Sequence, residues 1–432
     1  MKEKYIVVKK SDPLQGSLAV PGSKNAVLGL LAAALMTDED VKIENIPQIL
    51  DVKVLCEIVA DIGVDVHETD HQLIFNAKNI KHAELNTALT SKFRASYYFI
   101  GALISKYKKV KIGYPGGDDF GSRPIDQHEK GLTALGATFN YYKDYYTVEA
   151  ERLKGADIYF DVITSGATIN VMLASVFAEG KTTLTNAARD PEVVDVANLL
   201  NKMGANIRGA GTSKIIIHGV NTLKGCDYQT IPDRLIAGTF LIAAGVTGGQ
   251  VTVRDVIPEH LTSLLEKLTE MGMTFEVGNN SITAYGDHNL KATRVKTGMY
   301  PLFATDLQQP LTSLMLKASG KSIVTDPIFP NRFRHIHQLS KLGAVIEKRK
   351  ASVFIPGNQK LKGARVEALD VRAGSSLILA GLMAEGTTII TDIDHILRGY
   401  ENVTSLFAKL GADITLENGS ADKSLHHVSK II

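Results

Sequence analysis

Apolar positions along the chain fall into two kinds of run. Some are continuous: Ala26 to Leu35 and Leu377 to Met383 have no polar face, the pattern of helices buried on every side. Others are helical segments closed by Leu, Ile or Met, then Gly, a small or apolar residue, any residue, and an apolar strand start. This second pattern occurs at Ile62-Gly63-Val64, Leu135-Gly136-Ala137, Met203-Gly204-Ala205, Met271-Gly272-Met273, Leu342-Gly343-Ala344 and Leu410-Gly411-Ala412. Each glycine lies roughly 70 residues beyond the one before, so the fold repeats internally. The reason is local: glycine just past a helix takes the left-handed turn that ends it, and the chain then enters a strand. Between these signals lies another helix-to-strand junction, clearest at Glu179-Gly180-Lys181 and Glu385-Gly386-Thr387 and weaker at Gly248-Gly249 and Gly320. Each unit reads as strand–helix–strand–helix–strand, with one helix buried and one covering the sheet. A solenoid is the alternative, but these units exceed the usual solenoid repeat and carry no stacking signature.

Six such units divide evenly into two lobes of three. The expected boundaries are 23–231 for the first lobe, which carries the Gly-rich loop 114–124, and 1–22 plus 232–432 for the second. Tyr5 to Val20 holds two strand-like segments without a helix of their own, which predicts that they return to complete the second lobe. The chain has 432 residues, too many for one ordinary core, with 44% hydrophobic and 22% charged residues. A net charge of +2 from 48 basic and 46 acidic residues gives no global pull towards nucleic acid or anionic membrane. The first ten residues lack an apolar signal segment, and no apolar run approaches membrane-spanning length. Cys56 and Cys226 lie far apart without metal-ligand spacing, which predicts two free thiols, a cytoplasmic setting and no metal site.

Chemistry concentrates at loops and helix starts. Tyr114-Pro115-Gly116-Gly117-Asp118-Asp119-Phe120-Gly121-Ser122-Arg123-Pro124-Ile125-Asp126-Gln127-His128 sets carboxylates, a guanidinium and an imidazole into a glycine-rich loop, where Pro stops any helix. A solvated surface turn could carry the same residues; the agreement with other charged positions argues for more. Every unit opens its buried helix with charged or hydroxyl residues. These are Lys24-Asn25 after a capping Ser23, Arg94, Thr164-Ser165-Gly166, Asp233-Arg234, Thr305-Asp306, and Asp370-Val371-Arg372. Helix starts that share one face form an anion-attracting surface, and two such lobes predict an active site in the cleft between them. Arg332 and Arg334 on one turn, and Arg398 beside Gly399 near a helix start, add further cations. Planar arginine forks suit a ligand bearing phosphate and carboxylate.

Taken together, Gly22-Ser23-Lys24-Asn25-Ala26, Arg94-Ala95-Ser96, Pro115-Gly116-Gly117 through His128, Ser165-Gly166-Ala167-Thr168, Ala188-Arg189-Asp190-Pro191-Glu192-Val193-Val194-Asp195, Pro232-Asp233-Arg234, Asn331-Arg332-Phe333 and Arg398-Gly399-Tyr400-Glu401 stand in a telling order. In that order, over essentially the whole chain, the sequence resembles the UDP-N-acetylglucosamine 1-carboxyvinyltransferase family of enolpyruvyl transferases. The resemblance implies a two-lobed inside-out α/β barrel of six repeats. It also implies transfer of the enolpyruvyl group of phosphoenolpyruvate to the 3′-hydroxyl of UDP-N-acetylglucosamine, with release of phosphate and no cofactor, at the start of peptidoglycan precursor synthesis. Lys24, Arg123 and Arg398 would bind the phosphoenolpyruvate phosphate and carboxylate, with Arg94, Arg332 and Arg372 in support. Asp306 would be the base near the sugar hydroxyl. Asn25, the segment Arg123-Pro124-Ile125-Asp126-Gln127-His128, Thr164 to Gly166 and Ile328 would hold the UDP-sugar, and Asp370 joins the expected binding set.

Three positions depart from the family's usual pattern. Asp118 stands where the loop cysteine is usual, and such members are expected to resist fosfomycin, which alkylates that thiolate. Asp118 can serve as an acid if loop closure excludes water and raises its pKa. Val162 replaces a lysine often found near the UDP, and Ile236 an acidic residue. Two rivals remain: 5-enolpyruvylshikimate-3-phosphate synthase, which shares fold and phosphoenolpyruvate chemistry, and a UDP-sugar-binding paralogue without turnover. Asn25 and the Arg123 to His128 signature oppose the first; intact Lys24, Arg123, Asp306 and Arg398 oppose the second.

Overall fold

A computed structural model describes residues 4–92, 94–116, 124–287 and 289–419. The chain forms two compact units, one of residues 21–116 and 124–232, the other of 4–20 and 233–419. Each has its own apolar core and three sheets.

In the first unit, the sheet Cys226–Gln229, Val41–Glu44, Gln72–Asn76, Asp65–Thr69 begins with a parallel pair and continues with two antiparallel pairings. The sheet Asp157–Tyr159, Lys181–Thr185, Lys214–His218, Asn206–Arg208 follows the same plan. Between them in sequence, Lys109–Gly113, Tyr145–Glu149 and Thr138–Tyr141 make three strands, and a single parallel bridge from Glu84 to Lys111 marks the place of the fourth. The second unit repeats the plan three times. Gln15–Ala19 lies parallel to Gln250–Arg254, and Arg294–Lys296 to Lys321–Thr325. The last sheet pairs Arg365–Glu367 with Thr387–Thr391 in parallel, then takes Lys4–Lys9 as its next strand before Ile414–Asn418. The N-terminal strands thus enter sheets whose other members lie more than 200 residues away in sequence.

The inner helices are Lys24–Ala34, Tyr98–Tyr107 and Ser165–Ser175 in the first unit, and Arg234–Thr247, Thr305–Met315 and Val371–Met383 in the second. Their apolar runs are buried all round, as the missing polar face requires. Two hydroxyls inside them are satisfied within their own helix: Thr239 Oγ1 donates to the Leu235 carbonyl at 2.9 Å and Thr312 Oγ1 to that of Gln308 at 2.8 Å. The covering helices are amphipathic; Thr262–Glu270 buries only Leu264 and Leu268, one turn apart.

All six helix-ending glycines are left-handed, with φ of +103° at Gly63, +104° at Gly136, +110° at Gly204, +102° at Gly272, +91° at Gly343 and +95° at Gly411. The next residue returns its N–H to a carbonyl five positions back in every case, from Val64 to Val59 and from Ala412 to Phe407. That bond explains the apolar residue after each glycine, which folds back onto the helix it closes. Cys56 and Cys226 are free and half-buried, and burial pushes the Cys56 thiol up to about 12. Among the described residues no helix is long and apolar enough to cross a membrane.

Candidate active site

Lys24 is the first residue of its helix, which Ser23 caps by accepting from the Ala26 N–H. Its ammonium meets the Asp51 carboxylate at 2.7 Å, with side chains only 12% and 7% exposed. A cation so enclosed needs its partner, because removing either charge strands the other in low dielectric. Asp51, at the start of the covering helix Leu50–Asp61, had as its only sequence signal an acidic residue in a first turn. Asn25 is half-buried beside Lys24.

Arg94 opens a short 3-10 turn, Arg94–Tyr97, rather than the helix itself, which starts at Tyr98. That turn carries Tyr97 against His128, with ring centroids 4.2 Å apart. His128 is buried at the start of the helix Asp126–Ala134. Burial above all, with the Arg94 charge, pushes its imidazole down to about 3, while Asp126 acts the other way. Pro124 and Asp126 are exposed and Ile125 is half-buried. Thr164 precedes the helix Ser165–Ser175 in extended conformation, and its carbonyl accepts from both the Thr168 N–H and Oγ1. Gly166 must be glycine, since a Cβ there would lie 2.4 Å from the Tyr97 hydroxyl and 3.2 Å from His128 Nε2. The structure therefore gathers Arg94, Tyr97, His128 and Gly166. Val162 is 62% exposed. Asp118 and Arg123 lie outside the described residues.

In the second unit, Asp306 occupies the first turn of Thr305–Met315, its side chain 26% exposed. One carboxylate oxygen takes the Arg332 guanidinium and the other faces Arg372 Nε at 3.5 Å. Burial opposes the charge on Arg372, but Tyr400, Asp306 and Asp233 outweigh it and raise its pKa. Arg372 Nη1 donates to the Tyr400 hydroxyl at 3.1 Å, which lies 2.8 Å from Thr239 Oγ1. Because the Thr239 proton goes to the Leu235 carbonyl, the Tyr400 hydroxyl accepts from Arg372 and donates to Thr239.

Asp370 caps Val371–Met383, accepting from the Arg372 and Ala373 N–H groups, and its other oxygen accepts from Gln309 Nε2 at 3.2 Å. Gln308 Nε2 donates to the Arg332 carbonyl at 2.8 Å. Fully buried Asp326 accepts from Thr297, Thr305 and the N–H groups of Ile328 and Phe329, tying the Ile328 turn to the start of the Asp306 helix. Arg398 is half-buried at the end of the short helix Asp394–Leu397, shortly before the next helix, Val403–Lys409. Ile236 is buried in its helix, where Asp233 caps the first turn. Asp326, Tyr97 and the paired glutamines Gln308 and Gln309 carry no role in the sequence-based expectation, and Tyr400 enters it only as part of the Arg398-Gly399-Tyr400-Glu401 motif. Among the described residues no group of three His, Cys, Asp or Glu is arranged to hold a metal ion.

The arrangement offers two kinds of surface. One is a carboxylate bracketed by two buried, fixed guanidiniums, which can hold an anion and accept a proton beside it. The other is a set of neutral and cationic donors around a helix start, suited to oxygen-rich ligands.

The family model of EPSP synthase (3-phosphoshikimate 1-carboxyvinyltransferase) matches residues 8–406. UDP-N-acetylglucosamine 1-carboxyvinyltransferase 2 of Geobacillus kaustophilus is 46% identical over 406 residues, 94% of this chain and 95% of the relative. The protein of the same name from Clostridium acetobutylicum is 46% identical over 413 residues, 95% of this chain and 99% of its own. Among solved structures, the enolpyruvyl transferase NikO from Streptomyces tendae matches with a TM-score of 0.88 at 25% identity, covering 97% of this chain and 100% of its own. EPSP synthase from Acinetobacter baumannii matches with a TM-score of 0.73 at 18% identity, over 96% of this chain and 100% of its own, a likeness of fold.

Proposed function

Because the chain belongs to the EPSP synthase family of enolpyruvyl transferases, we propose that it transfers the enolpyruvyl group of phosphoenolpyruvate to the 3′-hydroxyl of UDP-N-acetylglucosamine and releases phosphate. The observation that carries the reading is Asp306 held between Arg332 and Arg372, a base and two anion-binding forks fixed together. The relatives' names favour this acceptor over shikimate 3-phosphate, whose synthases match at 18% identity.

The chemistry sets the roles. The sugar oxygen bonds to C2 of phosphoenolpyruvate while a proton is added to C3; loss of phosphate and of a C3 proton restores the double bond in the product ether. Asp306 takes the hydroxyl proton. Lys24, Arg123 and Arg398 hold the phosphate and carboxylate, with Arg94, Arg332 and Arg372 stabilising the charge throughout. Asp118 supplies the proton to C3, so fosfomycin, which needs a thiolate, leaves the enzyme active. Asn25, Pro124, Ile125, Asp126, His128, Thr164, Gly166, Ile328 and Asp370 orient the UDP-sugar. The reaction places the protein in peptidoglycan precursor synthesis in the cytoplasm.

Incubation with both substrates tests the reading: mass spectrometry should find the enolpyruvyl ether of UDP-N-acetylglucosamine. Binding of the UDP-sugar with both substrates left unchanged would instead support the paralogue without turnover.

A further inference from the structure

Buried behind the Tyr97–His128 pair is an amide that decides what the imidazole can do. The Gly101 backbone N–H donates to Asn170 Oδ1 at 2.8 Å, and Asn170 Nδ2 lies 3.0 Å from His128 Nδ1. A backbone N–H can only donate, so the atom facing it must be the amide oxygen. The atom facing His128 is then the amide nitrogen, which also can only donate. His128 Nδ1 must therefore accept, and a neutral imidazole carries its one proton on the other nitrogen.

Three separate helices build this arrangement, Tyr98–Tyr107, Asp126–Ala134 and Ser165–Ser175, and Asn170 is fully buried among them. Gly101 cannot be larger, since a Cβ would lie 2.1 Å from the Asn170 carbonyl oxygen and 2.6 Å from Oδ1. The charged groups acting on the ring are Arg94, which disfavours the imidazolium, and Asp126, which favours it less strongly than burial opposes it. Nε2 lies against Gly166, at the start of the helix Ser165–Ser175.

We propose that Asn170 is a positioning residue that locks His128 as an Nε2–H donor, so that the ring can serve only an acceptor oxygen of the UDP-sugar. The ligand half of this inference rests on the functional reading above; the tautomer half does not. A histidine free to choose its tautomer would bind donors and acceptors alike. The locked ring discriminates against a donor in that place, because two facing N–H groups would leave one buried and unpaired.

Nitrogen-15 NMR of histidine-labelled full-length protein tests the tautomer directly. Nδ1 should resonate as an unprotonated nitrogen and Nε2 as a protonated one, unchanged through neutral pH. Asn170→Asp reverses the logic: one carboxylate oxygen still accepts from Gly101, and the other takes the proton of His128 Nδ1, so that above the variant's own imidazole pKa, where the assay is run, the neutral ring has no proton on Nε2. In that variant KM for UDP-N-acetylglucosamine should rise about tenfold while kcat and KM for phosphoenolpyruvate stay within about twofold. A wild-type ring protonated on Nδ1 overturns the inference even if the variant does not fold. A variant with the altered tautomer and an unchanged KM overturns the positioning role. Wild-type protein that fails to bind UDP-N-acetylglucosamine, with the tautomer as stated, overturns the functional reading and leaves the lock standing.

Discussion

Tyr400→Phe isolates one hydroxyl. The ring is 1% exposed and Phe keeps its shape, so packing is preserved and only the oxygen is lost. That oxygen accepts from Arg372 Nη1 at 3.1 Å and lies 2.8 Å from Thr239 Oγ1. Thr239 keeps its bond to the Leu235 carbonyl and Arg372 keeps Asp306, so neither partner is stranded entirely. The neutral bond contributes about 1 kcal/mol and the charge-assisted one about 1.5–3, but relaxation of Arg372 recovers part of this, for a net loss of about 2 kcal/mol. In a unit of roughly 200 residues that corresponds to a fall of about 4–8 °C in its melting temperature. Arg372, held on one side only, loses its fixed angle to Asp306, and KM for phosphoenolpyruvate rises about tenfold, the equivalent of 1.4 kcal/mol. Thermal melting and steady-state kinetics with each substrate varied in turn measure both. Unchanged melting together with an unchanged KM for phosphoenolpyruvate would show that the Tyr400 hydroxyl neither stabilises the unit nor positions Arg372.

Three further outcomes follow from the same geometry. His335 is fully buried and neither ring nitrogen has a hydrogen-bond partner among the described residues; burial above all pushes it down to about 4, with Arg332 adding to the push and Asp370 opposing it. Its folded pKa lies below the unfolded value, so stability is lost as pH falls from 6.5 towards 4; His335→Leu should stabilise the protein by about 1 kcal/mol at pH 7 and by roughly 2 kcal/mol more at pH 5, read from denaturant titrations. Asp326→Ala leaves four donors without their acceptor, at about 3 kcal/mol or more, and should abolish turnover by loosening both Thr305 and the Ile328 turn; hydrogen exchange at Ile328 and Phe329 would report it. Gly166→Ala drives a methyl into the Tyr97 hydroxyl, and calorimetry should find UDP-N-acetylglucosamine binding weakened by about tenfold or more while the helix persists.

What the sequence shows of this fold is what local chemistry demands. Six glycines at one spacing mark six helix ends because only glycine accepts φ near +100° at no steric cost, and the apolar residue after each is explained by the back-bond it makes. Asp306 at a helix start could be read from the Thr305-Asp306 pair at a helix entry. Its meeting with Arg332 and Arg372 could not, because tertiary packing joins them across 26 residues and more. The same holds for Asn170 and His128, 42 residues apart, and for Lys24 and Asp51 on separate helices. A residue type announces its backbone conformation far more clearly than its partner.

Phosphate release from phosphoenolpyruvate in the presence of UDP-N-acetylglucosamine, with and without prior exposure to fosfomycin, distinguishes an active transferase with an acidic loop from the alternatives. Release should require both substrates and survive the drug, because Asp118 offers no thiolate to alkylate. No release, with the UDP-sugar still bound, would contradict the transferase; release abolished irreversibly by fosfomycin would contradict the role given to Asp118.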